Sequence, residues 1–180
     1  PDTSHIVGIG ASAQGLVALK EFFGSFDDAP NHAFVVIQHL APDTVSSLTE
    51  ILQSSTDLPV TAAEAGMRVE SGHIYVISPG DQLTIEDRVL QTTPLPDLDA
   101  ERHTIDIFFD SLARDCEESA VGILVSGAGQ DGTAGLRTIK EHGGLTLAQK
   151  PNEAGISTMP LNAIEAGVVD VVDSAAGLYA

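Results

Sequence analysis

The chain has 180 residues, 43% of them apolar and 19% charged, the composition of a soluble globular protein with room for one substantial core. Its 26 acidic and 8 basic residues give a formal net charge of −18, which argues against nucleic acid or an anionic membrane surface as a partner. Cys116 is the only cysteine, so there is neither an internal disulfide nor a cysteine-rich metal site, and no apolar run is long enough for membrane insertion.

Ile6 to Gly10 reads as a strand, Ala11-Ser12-Ala13-Gln14-Gly15 as a tight turn, and Leu16 to Phe26 as an amphipathic helix. A loop at Asp27–Asn31 leads to the apolar run Ala33–Ile37, a strand covered on both faces, which ends in Gln38-His39-Leu40-Ala41-Pro42. Asp43-Thr44 is placed to cap a helix carrying Leu48, Ile51 and Leu52, and Leu58–Ala62 reads as a short strand near a sheet edge. His73–Ile77 is a strand, and Gln82–Ile85 with Val89–Thr92 around Glu86-Asp87-Arg88 is a hairpin, expected as an antiparallel patch on an otherwise parallel sheet. Thr93 to Asp99 is a loop. Helical spacing returns at Ile105, Phe108, Phe109 and Leu112, with Cys116 packed beside it. Ala120–Val125 is a buried strand, followed by Ser126-Gly127-Ala128-Gly129-Gln130-Asp131-Gly132 and a helix through Leu136 and Ile139. The strand Leu145–Ala148, a helix from about Met159 to Ala166, and the strand Val168–Val172 complete the chain. This alternation predicts one α/β domain over residues 1–180: a doubly wound, mostly parallel sheet with an antiparallel hairpin and helices on both faces.

Ligands of such sheets bind outside the carboxyl ends of the strands, where Ser12, His39 and Asp131 each follow an apolar run. Three readings compete for Ser12: a helix N-cap, part of a dinucleotide loop built on Gly8, Gly10 and Gly15, or a nucleophile on a strand-turn-helix bend. The glycine spacing is two residues longer than the dinucleotide fingerprint. A nucleophilic serine needs an imidazole to take its proton and a carboxylate to orient that imidazole, roles for which His39 and Asp131 have the right chemistry. His39 has a plainer alternative as a donor to a backbone carbonyl, and Asp131 as the N-cap of the helix that follows it. Backbone N–H groups at Ala13 and in the Ala128–Gly129 turn are candidate oxyanion donors. His5, His32, His73, His103 and His142 form no short-range pair with ligand spacing, so no metal is expected.

Six blocks resemble, in order and spacing, the chemotactic receptor methylesterases, the CheB-type catalytic domain. They are Ile6 to Gly15, Ile37-Gln38-His39, Gly72 to Gly80, Val125 to Gly132, Leu147-Ala148-Gln149 and Met159-Pro160. The likeness runs from about residue 5 to residue 173. It implies hydrolysis of glutamyl methyl esters, and deamidation of glutamines, on the methylated cytoplasmic signalling domain of chemoreceptor-like proteins, with no cofactor. The family's Ser-His-Asp triad falls on Ser12, His39 and Asp131. Met159 falls beside the substrate, and Arg102 matches a family arginine near the cleft, with a solvated salt bridge as its alternative. Ala13, Gln14, Ala128 and Leu161 depart from the family pattern and bear on rate and substrate preference. The wording around His39–Pro42 and Arg102-His103 resembles the branch fused to methyltransferase modules. With the opening proline, this predicts an excised domain, without the usual receiver domain, working in the cytoplasm. The rivals are a catalytically idle interaction domain of a larger signalling protein and a nucleotide-binding module.

Overall fold

The computed structural model describes residues 5–12, 15–26, 31–38, 48–95, 103–127, 129–151 and 158–178. In chain order the elements are β1 (Ile6–Ala11), α1 (Leu16–Phe23), β2 (Ala33–Gln38), α2 (Leu48–Gln53), β3 (Val60–Ala62), β4 (Ile74–Val76), β5 (Asp81–Glu86) and β6 (Val89–Pro94). They continue with α3 (Thr104–Cys116), a short 3-10 turn (Glu117–Ser119), β7 (Ala120–Leu124), α4 (Thr133–Glu141), β8 (Leu145–Gln149), α5 (Thr158–Glu165) and β9 (Val171–Asp173). Seven strands form a sheet in the order β3-β4-β2-β1-β7-β8-β9, and all its paired neighbours run parallel. The α/β expectation holds, and the proline-bearing segment before β3 leads into an edge strand as predicted.

The central strands β1 and β2 are buried along their whole length because both faces of the sheet are covered. Val7, Ile9, Phe34 and Val36 pack with Leu19, Phe22 and Phe23 of α1 on one face, while Ile6, Val35 and Ile37 join Phe108, Phe109 and Leu112 of α3 on the other. Gly8 and Gly10 lie inside β1 rather than in a loop. A Cβ on Gly8 would come within 2.9 Å of Phe109, and one on Gly10 within 2.7 Å of Ile105. Gly122, the register partner of Gly8, would bring a Cβ within 2.6 Å of Ile139. These glycines let α3 and α4 lie close on the sheet. That accounts for them without a phosphate and removes the dinucleotide-loop reading.

The hairpin β5–β6 stands as a two-stranded sheet of its own. Asp87 and Arg88 both take positive φ (52° and 60°), as a two-residue primed turn requires. The Asp115 carboxylate of α3 accepts from both of their N–H groups at 2.6 and 2.9 Å, and Ser111 Oγ accepts from Ile85 N at 3.1 Å, so the hairpin is fastened to α3.

β6 takes in Thr93 and Pro94 of the expected loop, β3 and β4 are shorter than expected, and two boundaries move by three residues. α1 stops at Phe23, before Gly24, whereas the apolar spacing continues to Phe26 because that ring stacks on Phe34 from the loop. β9 begins at Val171 rather than Val168. The residue before it, Asp170, turns its carboxylate to Thr146 and Lys140 and accepts from Thr146 N at 3.2 Å. β9 is the open edge of the sheet, with Val171 and Val172 exposed. Among the described residues no helix is long and apolar enough to cross a membrane.

From β1 the chain builds outward to β2, β4 and β3, then returns beside β1 to lay down β7, β8 and β9. The carboxyl ends of β1 and β7 therefore meet at the point where the winding reverses, where ligands of open α/β sheets bind. Another cavity lies away from this edge. It has about 640 Å³ and is lined by Val7, Phe34, Val121 and Leu145 of the sheet, with His5 and His32 among its other lining residues.

Candidate active site

Ser12 directly follows β1, and its main chain is held from three directions. Its N–H donates to Ser126 O (3.4 Å), its carbonyl accepts from Gly15 N (2.9 Å), and the same carbonyl accepts from Gln38 Nε2 (2.8 Å) at the end of β2. Gly15 is the N-cap of α1 and makes no side-chain cap bond, so Ser12 precedes the helix without capping it. A Cβ on Gly15 would lie 2.7 Å from Ala11 Cβ and 2.9 Å from Ser126 O, which is why this turn needs glycine.

The β7 side of the turn is anchored in the same way. Ser126 N donates to the buried Gln149 Oε1 at 2.8 Å, and Met159 N donates to Gly127 O at 3.0 Å. Gly127 packs directly on Ser12: a Cβ there would lie 3.1 Å from Ser12 N and Cβ and 3.2 Å from Met159 Cε. Met159 is fully buried beneath this contact. Gly129 takes a φ of +100°, and its carbonyl accepts from Asn162 Nδ2 of α5 at 2.9 Å. Ser12, Gly127 and Met159 are thus brought together, with Gln38 and Gln149 as the polar braces behind them. Both glutamines stand in sequence blocks already noted, and the signal for their role is a polar side chain closing an apolar strand.

Asp131 is buried, but not as the cap of its own helix. The N-cap of α4 is Gly132 (φ +99°), which makes no side-chain cap bond. Asp131 instead caps α3: Oδ2 accepts from Ile105 N at 2.9 Å and Oδ1 from Asp106 N at 2.8 Å. Asp106 returns the arrangement, its Oδ1 accepting from Gly132 N (2.9 Å) and Gly135 N (2.8 Å) at the start of α4. Two helix N-termini thus exchange carboxylates, each satisfying N–H groups that the other helix leaves free. Burial, opposed by the bond from Gly135 and reinforced by the neighbouring Asp131, raises the Asp106 carboxyl from 3.8 to about 6.

The polar cleft beside Asp131 has a volume of about 400 Å³ and is lined by His103, Asp106, Gln130, Thr133, Arg137 and Asn162, among others. Residues His39, Arg102, Ala13 and Ala128 of the sequence reading lie outside the described residues, as does the Asp43-Thr44 cap. Among the described residues no three His, Cys, Asp or Glu side chains are grouped to hold a metal ion.

This architecture has close counterparts. A relative from Leptospira interrogans is 33% identical over 165 residues, covering 91% of this chain and 86% of its own length. The protein-glutamate methylesterase/protein-glutamine glutaminase of Photorhabdus laumondii is 34% identical over 175 residues, covering 94% of this chain but 49% of its own. The chain therefore spans about half the length of that relative and most of the other. The crystal structure of the Thermotoga maritima CheB methylesterase catalytic domain superimposes with a TM-score of 0.87 at 26% identity, over 96% of this chain and 94% of that one. The family model described as CheB methylesterase matches residues 7–179, and the chain belongs to that family.

Proposed function

We propose that this chain is a protein-glutamate methylesterase, with protein-glutamine glutaminase activity at the same site, acting through Ser12, His39 and Asp131. The observation that carries this reading is the held turn at Ser12: a serine at the switch point of the sheet, fixed through its main chain by Gly15, Gln38 and Ser126, with buried Asp131 in the connection between the neighbouring strand β7 and α4. Ser12 Oγ attacks the γ-carbonyl of a methylated glutamate as His39 takes its proton. The tetrahedral intermediate collapses, and His39 returns the proton to the departing methoxide, giving methanol and an acyl-serine. Water, losing a proton to His39, attacks the acyl-serine, and Ser12 leaves reprotonated, freeing glutamate. With glutamine the leaving group is ammonia. Asp131 orients His39 and stabilises its cation. Backbone N–H groups at Ala13, Ala128 and Gly129 form the oxyanion site, with Met159 packed beneath.

The substrate is the methylated cytoplasmic signalling domain of a chemoreceptor-like protein. The chain works as a single cytoplasmic catalytic domain, alongside methyltransferase or receiver modules in its full context. The test is methanol release from a methyl-labelled receptor signalling domain by the parent and by Ser12→Ala. Release that vanishes in the variant, with circular dichroism unchanged, supports the reading; equal release from both overturns it.

A further inference from the structure

The cleft beside Asp131 contains two groups that the reaction does not use. Arg137 lines it and is exposed, and among the described residues it has no carboxylate within ion-pair distance. Other cations of the chain, Arg114, Lys140 and Lys150, pair with Asp110, Asp170 and Asp173. One turn earlier on the same face of α4, the Thr133 hydroxyl oxygen is shielded from solvent and has no hydrogen-bond partner. The acids of the cleft are already engaged: Asp106 with the N–H groups of Gly132 and Gly135, Asp131 with those of Ile105 and Asp106. The helix N-termini offset their charge, so an incoming anion meets Arg137 as the cleft's uncompensated permanent charge.

We propose that this cleft is a specificity subsite, in which Arg137, assisted by the Thr133 hydroxyl, binds a substrate carboxylate one helical turn from the glutamyl ester. This rests on the esterase reading above and adds its choice of substrate. Residues three and four apart share one face of a helix, so a helical substrate with its ester at Ser12 can present a second side chain to a neighbouring cleft.

The experiment uses a receptor signalling domain with one methylated glutamate, in two forms: acidic residues one turn to either side, or glutamines in their place. The parent is expected to have a KM about tenfold lower for the acidic form, with kcat within about twofold, because a charge-assisted contact made equally in ground and transition states changes KM alone. Arg137→Gln should abolish that preference, Arg137→Lys should restore part of it, and Thr133→Val should weaken it severalfold. Added salt should erode the preference in the parent but not in Arg137→Gln. Methanol release with an undiminished preference in folded Arg137→Gln overturns the subsite and leaves the esterase standing. No release by the parent from either form overturns the esterase reading and the subsite with it.

Discussion

Replacing Asp106 with asparagine separates the charge of the exchanged carboxylates from their capping. The folded chain holds this carboxyl at about 6, against 3.8 for the unperturbed group, chiefly because of burial. Because folding raises this value, the folded chain binds the proton more tightly. The associated stability is fully present below 3.8 and is lost as pH climbs through about 6. The full shift is equivalent to ~3 kcal/mol. The side chain is partly exposed, so solvent screening reduces this to about 1–2 kcal/mol. Asparagine keeps an oxygen for Gly132 N and Gly135 N, and its amide can donate to Asp131 as the protonated acid does. Asp106→Asn is therefore expected to exceed the parent in stability by about 1–2 kcal/mol at pH 7.5 and to match it near pH 4. Asp106→Ala, which loses the acceptor altogether, should fall about 1–2 kcal/mol below the parent near pH 4. Urea unfolding followed by circular dichroism at the two pH values reads all three. A parent–asparagine difference that does not change with pH would refute the assignment of the cost to charge.

Gly127→Ala puts a methyl 3.1 Å from Ser12 N and Cβ. It should cost about 1 kcal/mol of stability while lowering kcat ~10- to 100-fold through displacement of Ser12, the proposed nucleophile, so parallel urea and methanol-release measurements check it. Burial, reinforced by the Asp115 carboxylate, pushes the Cys116 thiol up to about 12. Iodoacetamide should therefore leave the native chain unlabelled at pH 8 and modify it once urea unfolds it, which mass spectrometry reads directly.

Most elements were legible because their signals are local. Apolar runs bounded by turn residues mark β1, β2 and β7, and a polar turn at Asp87-Arg88 marks the hairpin. The end of α1 was less legible. Phe26 is as apolar as a helix residue for a different reason, its stacking on Phe34. The purpose of Gly8, Gly10 and Gly122 was hidden because it lies in the side chains of α3 and α4, far away in sequence. The capping of α3 by Asp131 was hidden for the same reason, with 26 residues separating Asp131 from Ile105. The sequence offers Asp131 as a cap of the helix that follows it, whereas in the fold it caps α3.

The exchange of carboxylates between α3 and α4 has a consequence for descent. The bonds from Gly15, Gln38 and Ser126 that hold the Ser12 turn use its main-chain atoms, which alanine supplies equally well, so a lineage that abandons hydrolysis keeps these bonds without the serine. Asp131 is different, since its loss uncaps α3 whether or not any ester is cleaved. Idle descendants of this fold should therefore retain the aspartate long after the serine has drifted. On the proposed triad, the residue at position 12 should separate active from idle relatives far better than the residue at position 131.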